Sequence, residues 1–406
     1  MNKSLYIFFC LIFAVNFWDL SVVVNVLTAD IVLVLDWMWI LSGIYFFNEN
    51  KRLKSLNSYN YNKPLVLILA GVFISMFSAY FFGGQSLLTT LIAQRPIYSF
   101  MFLPAILFVQ PTEEDIIKAL KWISIGTIVV WILVHFKTDI IKLDKEKIDQ
   151  FEMNNQDLSA KLEFYVNGIH LVVLYTYIKI YQYIKKFTWN TFLEAALLMI
   201  FVILYQNRSM VLGVIPVFIY SMYKFKSTSK PTIIIVSAIA IIVGVIYTSD
   251  VWTLMIENTQ NNLGESDYNR WKALYYYFGN YSSNWFCYVF GNGYPSGGNS
   301  PLGNLMWSNF EKGIFTSDLG MVGMWVDYGI LPLIAIYSII ISVLRKNIFP
   351  LYLKFICLHV VFVPTIFHFW SNPGVTLFSL IIYMHAYYTD RNKKMIQYAR
   401  SNNSKL

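Results

Sequence analysis

Four side chains have types and settings suited to chemistry on a phosphorylated substrate: Arg95, Arg208, Arg270 and Asp318. A guanidinium presents paired N–H donors that match phosphate oxygens, and it stays charged at any working pH. A carboxylate within hydrogen-bonding reach of a hydroxyl can take its proton as a general base. Arg95 precedes Pro96 at the start of an apolar run, and Arg208 sits in Gln206-Asn207-Arg208-Ser209 between two such runs. Helix N-termini expected at Pro96 and Ser209 would add dipoles favourable to an anion. Arg270 falls in a long polar stretch, and Asp318 in Thr316-Ser317-Asp318-Leu319-Gly320 stands where that stretch gives way to apolar sequence. Ser-Asp before an apolar run is also the expected helix N-cap, and one residue can fill both roles. Glu257, Glu265, Asp267 and Asp327 are weaker candidates for the base. His170 and His368 are secondary candidates for substrate contact, but none of the five histidines has metal-ligand spacing such as His-Glu-x-x-His. Neither a metal centre nor a cofactor is expected.

The elements that must position these groups are apolar helices. Of the 406 residues, 57% are hydrophobic and 13% charged, with a mean hydropathy of +0.51; soluble domains carry roughly a quarter charged residues. Apolar runs of about 17 to 25 residues, the length that crosses a bilayer core, recur from end to end. Candidate spans lie near 4–20, 28–47, 64–82, 96–110, 120–136, 164–184, 191–206, 210–223, 231–248, 317–344, 348–370 and 373–389. The expected fold class is all-α: a single polytopic membrane domain over 1–406, a bundle of about a dozen transmembrane helices. The run from Ser4 lacks a small-x-small cleavage site and is read as the first span. Cys10 and Cys357 fall within spans, so no disulfide framework is expected.

Charge orients the bundle. With the N-terminus inside, the cytoplasmic connections carry Lys51-Arg52-Leu53-Lys54 and Lys63, Lys118 and Lys121, Lys185-Lys186, Lys224 with Lys226 and Lys230, Arg345-Lys346, and the tail from Arg391. Each is basic, as the positive-inside rule requires, which places both termini in the cytoplasm. The net charge of +8 is thereby a topology signal and not a nucleic-acid footprint. Arg95, Arg208 and Arg270 fall on the outer side, where the rule does not explain them. Anchoring to headgroups or pairing with acids is the plain alternative for each one alone; together they fit a lipid diphosphate. Asp36, inside an apolar span, is expected to face the bundle interior.

Two extracytoplasmic loops are long. The smaller, 137–163, mixes Lys with Asp and Glu, as a surface helix or lid would. The larger, 249–316, is rich in Tyr, Trp, Asn and Gly, which argues for order. Within it, Ser266 or Asp267 can cap a helix running to about Phe278 along the membrane surface, and Gly291 to Gly303 is expected to form turns.

Between Tyr205 and Leu331 the order of short motifs resembles the O-antigen polymerase and O-antigen ligase superfamily of envelope polysaccharide enzymes. The pieces are Asn207-Arg208-Ser209, Asn269-Arg270-Trp271, Phe290-Gly291-Asn292-Gly293, Ser317-Asp318-Leu319-Gly320 and Tyr328-Gly329-Ile330-Leu331. Ligases of the superfamily place a His-Asn pair at the end of the large loop; this loop has no histidine, which favours a polymerase and puts Asp318 in that role. The resemblance implies a metal-independent glycosyl transfer at the outer face of a bacterial inner membrane. Donor and acceptor would be polyprenyl-diphosphate-linked oligosaccharides, with Arg208 and Arg270 neutralising the leaving diphosphate and Arg95 a further contact. A flippase and a chain-length regulator would be its protein partners. Three rivals remain: a lipid-linked oligosaccharide flippase, against which the uneven placement of the large loop counts mildly; a polyprenyl-phosphate-sugar glycosyltransferase using first-loop acids, for which Asp19 and Asp30 are available; and a structural or partner-binding membrane subunit, against which the outer arginines argue.

Overall fold

The computed structural model describes residues 2–14, 38–39, 42–43, 62–94, 97, 100, 102–136, 168–186, 188–204, 213–214, 217, 220, 269–282, 284–297, 300–362 and 372–403. Among them every regular element is helical and no strand occurs. In chain order the α-helices are α1 (Lys3–Ala14), α2 (Asn62–Phe81), α3 (Leu87–Ala93), α4 (Phe102–Val109), α5 (Glu113–Phe136), α6 (Ile169–Lys185) and α7 (Trp189–Leu204). They continue with α8 (Asn269–Tyr276), α9 (Trp285–Phe290), α10 (Pro301–Glu311), α11 (Met321–Tyr328), α12 (Ile330–Arg345), α13 (Leu351–Phe362) and α14 (Asn372–Asn403). A π-turn, Tyr277–Tyr281, prolongs α8, and a 3-10 turn, Thr316–Leu319, precedes α11. Among the described residues two stretches, Pro64–Phe81 in α2 and Glu113–Leu133 in α5, are long and apolar enough to cross a membrane. Shorter apolar helices occur at Lys3–Ala14, Trp189–Val202, Ile330–Arg345 and Leu351–Val361.

The chain divides into two compact units. The first, 1–56 with 99–207, holds α1 against α5, and α6 against both α5 and α7. The α5 helix begins before the expected 120–136 because Thr112 and Asp115 cap it reciprocally. The Asp115 Oδ2 accepts from the Thr112 amide (3.0 Å), and Thr112 Oγ1 accepts from the Asp115 amide (3.3 Å). The expected 96–110 span is shorter as a helix: α4 starts at Phe102, so that Pro104 sits in the first turn, where its missing N–H costs nothing. Lys179 and Glu194 form an ion pair between α6 and α7.

The second unit, 57–98 with 208–406, is organised on α2. Its inward face carries Gly71, Ser75 and Ala79, a small residue every fourth position, which lets a neighbouring helix approach closely. That neighbour is α12: a Cβ added at Gly71 would lie 2.5 Å from Cδ of Pro332. The expected continuous span 317–344 is instead a 3-10 turn, α11 and α12, interrupted at Gly320 and Gly329. The expected turns of 291–303 end early, because Ser300 caps α10 by accepting from the Gly303 amide (3.0 Å) with Pro301 in the first helical position. The loop 137–163, the span 231–248, and most of 28–47 and 210–223 lie outside the described residues, as do 15–20 and 363–370 of two further spans.

Candidate active site

The interruption at Gly329 is held open by a distant piece of chain. Gly329 has φ 78° and ψ −171°, a conformation that only glycine adopts without strain. Phe290-Gly291-Asn292-Gly293 enters this gap: the Asn292 amide donates to the Val326 carbonyl (2.8 Å) and the Gly293 amide to the Asp327 carbonyl (2.9 Å). The Asn292 side-chain amide also donates to Val326 O (3.0 Å) and to Ser282 Oγ (3.1 Å). The approach leaves no room for side chains: a Cβ at Gly291 would lie 2.5 Å from Asp327 O, and one at Gly329 would lie 2.4 Å from the Phe290 carbonyl carbon. Two motifs singled out separately in the sequence are thus one structural unit.

The chain that follows is fastened to the end of α2 by Gln85, which is buried. Its Nε2 donates to Thr90 Oγ1 and to the Tyr294 carbonyl (2.9 Å each), while its Oε1 accepts from the Ser296 amide and Ser300 Oγ (2.8 Å each). The Leu302 amide adds a bond to the Gly83 carbonyl (3.1 Å). A buried amide with both donors and both acceptor positions used is a rigid node.

On this scaffold α8 and the 3-10 turn come together. Ala273, Tyr277 and Tyr281 bury one face of α8 and its π-turn in a cluster with Ala79, Leu302, Ile314, Leu319 and Val326. Arg270 is the second residue of α8, three before Ala273, and Asp318 immediately precedes Leu319 in the turn. The two elements pack directly against each other. Two of the sequence candidates, Arg270 and Asp318, therefore belong to neighbouring elements of one core.

Close to this core lies Asp327, ranked low from sequence. It is 1% exposed, and neither carboxyl oxygen has a hydrogen-bond partner among the described residues. Two loop tyrosines respond to it. Burial, with the Asp327 carboxyl beside it, pushes the Tyr294 phenol up to about 12, and burial followed by the same carboxyl raises Tyr281 well above its ordinary value. Asn309, at 1% exposure, likewise has no partner for either side-chain amide atom among the described residues. Neither residue carries a sequence signal of burial: each is a lone polar residue near a helix end.

His170, the second residue of α6, is half-buried in the first unit. Arg95, Arg208, His368, Asp36, Asp19, Asp30, Glu257, Glu265 and Asp267 lie outside the described residues. Among the described residues no group of three or more His, Cys, Asp or Glu side chains could hold a metal ion, and Cys10, Cys287 and Cys357 are buried. Comparison with known protein families, with curated proteins and with solved structures finds no match.

Proposed function

We propose that this chain is a polytopic bacterial inner-membrane polysaccharide polymerase, with about a dozen crossings and both termini in the cytoplasm. It joins polyprenyl-diphosphate-linked oligosaccharide repeat units on the outer face. The observation that carries the reading is the packing of α8, which bears Arg270, against the turn that bears Asp318, on a part of the large loop built of helices. In the reaction, an acceptor sugar hydroxyl gives its proton to Asp318 while its oxygen bonds to the anomeric carbon of the donor. The bond from that carbon to the diphosphate oxygen breaks, and the departing charge is held by Arg270 and Arg208, with Arg95 contributing to binding. No metal enters this scheme.

The rival transporter reading draws on the interrupted helix and the buried Asp327, features that line ion paths in broken-helix transporters. Here the backbone groups at the interruption are engaged, since the Val326 and Asp327 carbonyls accept from Asn292 and Gly293. The polymerase reading is therefore preferred.

The test is complementation of a deletion strain. Removing one charge-stabilising donor costs about 10²–10³ in rate. Arg270→Ala and Asp318→Asn should each leave single repeat units on the outer face, with normal levels of the protein. Unchanged chain lengths in both variants would remove the mechanism, and repeat units retained inside the cell would favour the transporter.

A further inference from the structure

The described part of the large loop exposes aromatic side chains in an ordered pattern. Trp271, Tyr275 and Phe278 recur at intervals of four and three along α8 and its π-turn, opposite the buried Ala273 and Tyr277, and Tyr275 is 74% exposed. On α9 the same arrangement is repeated, with Trp285 (72% exposed) and Val289 outward and Cys287 inward. An aromatic surface of this extent facing water would be an aggregation liability, whereas Trp and Tyr favour the zone where a bilayer meets water.

The surface is also continuous with one whose surroundings are indicated independently. The outward stripe of α2 is Val66, Leu69, Phe73 and Tyr80, with Phe73 59% exposed, on a helix long and apolar enough to cross a membrane. At the end of that helix α9 packs against it, and the rings of Phe82 and Phe286 meet at 6.1 Å. Alongside, α3 exposes Leu88, Leu91 and Ile92. An apolar face that begins on a membrane-length helix runs onto α3 and α9, and α8 carries a matching stripe.

We infer that α8 and α9 are a membrane-docking surface, lying in the outer headgroup zone of the bilayer with Tyr275 and Trp285 inserted toward the acyl chains. The inference rests on the membrane reading above but not on the polymerase chemistry. It gives the start of α8, where Arg270 stands, a depth: a helix lying along the surface begins at the level of lipid phosphates, where a lipid-linked diphosphate would be presented.

The experiment uses the full chain in vesicles of phosphatidylethanolamine and phosphatidylglycerol, with nitroxides attached at Tyr275→Cys, Trp285→Cys, Phe73→Cys and, as an aqueous reference, Lys312→Cys. All four positions are exposed, so the substitutions leave the core intact. Collision with oxygen, which concentrates in lipid, is compared with collision with a water-soluble nickel chelate. The expected result is an oxygen-to-nickel ratio at Tyr275 and Trp285 severalfold above that at Lys312 and approaching that at Phe73. Ratios at Tyr275 and Trp285 equal to Lys312, with Phe73 still in lipid, would overturn the inference and leave the membrane reading standing. A watery Phe73 would overturn both.

Discussion

Replacing Gly329 by alanine attacks the joint on which the candidate site is built, and the structure fixes the size of the effect. The added methyl would lie 2.4 Å from the Phe290 carbonyl carbon and 2.5 Å from the Val289 oxygen, both backbone atoms that cannot rotate away. A non-glycine residue at φ 78° and ψ −171° is strained by about 1–3 kcal/mol. If Phe290–Gly293 withdraws to relieve the clash, the bonds from Asn292 and Gly293 to α11 are lost, at about 0.5–1.5 kcal/mol each. Together these terms weaken the joint by about 2–6 kcal/mol. Cys287, in α9 just before the joint and 2% exposed, reports on it directly. Its alkylation, followed by mass spectrometry of the peptide, should accelerate on the order of 30-fold or more, because each 1.4 kcal/mol or so is a factor of ten in the open population. Gly279→Ala is the control, since a Cβ there meets nothing within 4 Å. Equal Cys287 reactivity in the two variants would refute the packing of the two glycine motifs.

Gln85→Leu should lower the unfolding temperature in detergent by removing the partners of the Tyr294 carbonyl, the Ser296 amide and Ser300 Oγ, a loss of about 2–4 kcal/mol; an unchanged midpoint contradicts the node. Tyr294 predicts an alkaline limit. Its phenol is raised from 10.0 to about 12, so the folded loop favours the neutral form; its contribution is complete below pH 10 and is lost as pH rises through about 12. The contribution is at most about 2–3 kcal/mol. Unfolding midpoints between pH 9 and 12 should fall less steeply for Tyr294→Phe than for the parent protein; identical slopes would show that the phenol is not held in this way. Asp318→Glu should retain partial polymerisation where Asp318→Asn retains none, and equal chain lengths in the two would make Asp318 a helix cap alone.

The sequence marked the helices whose signals are local. The apolar run of 64–82 became α2 with its ends nearly in place, and α5 departed from expectation only where Thr112 and Asp115 extended its start. The interruption at Gly329 was not legible, because Met321 to Arg345 reads as one apolar run and a glycine within a helix is ordinarily tolerated. What breaks that run is tertiary: the backbone of Phe290–Gly293, which lies 36 or more residues upstream, takes the Val326 and Asp327 carbonyls. The order of the glycine motifs hinted that both belonged to the site, without showing that they touch. The helix bearing Arg270 was foreseen, but its passage into a π-turn depends on the packing of Tyr277 and Tyr281, which no local pattern announces. The burial of Asp327 and Gln85 has no local signal for the same reason, since burial is a property of the assembled core.

Glycan assembly by the purified protein tests the central claim most directly. Reconstituted in vesicles with polyprenyl-diphosphate-linked repeat units, the protein should release polyprenyl diphosphate and lengthen the glycan in step, one leaving group for each unit joined. The same preparation of Arg270→Ala should do so at least about 10²-fold more slowly. Lengthening that proceeds equally in Arg270→Ala, or repeat units that cross the vesicle membrane without being joined, would contradict the account.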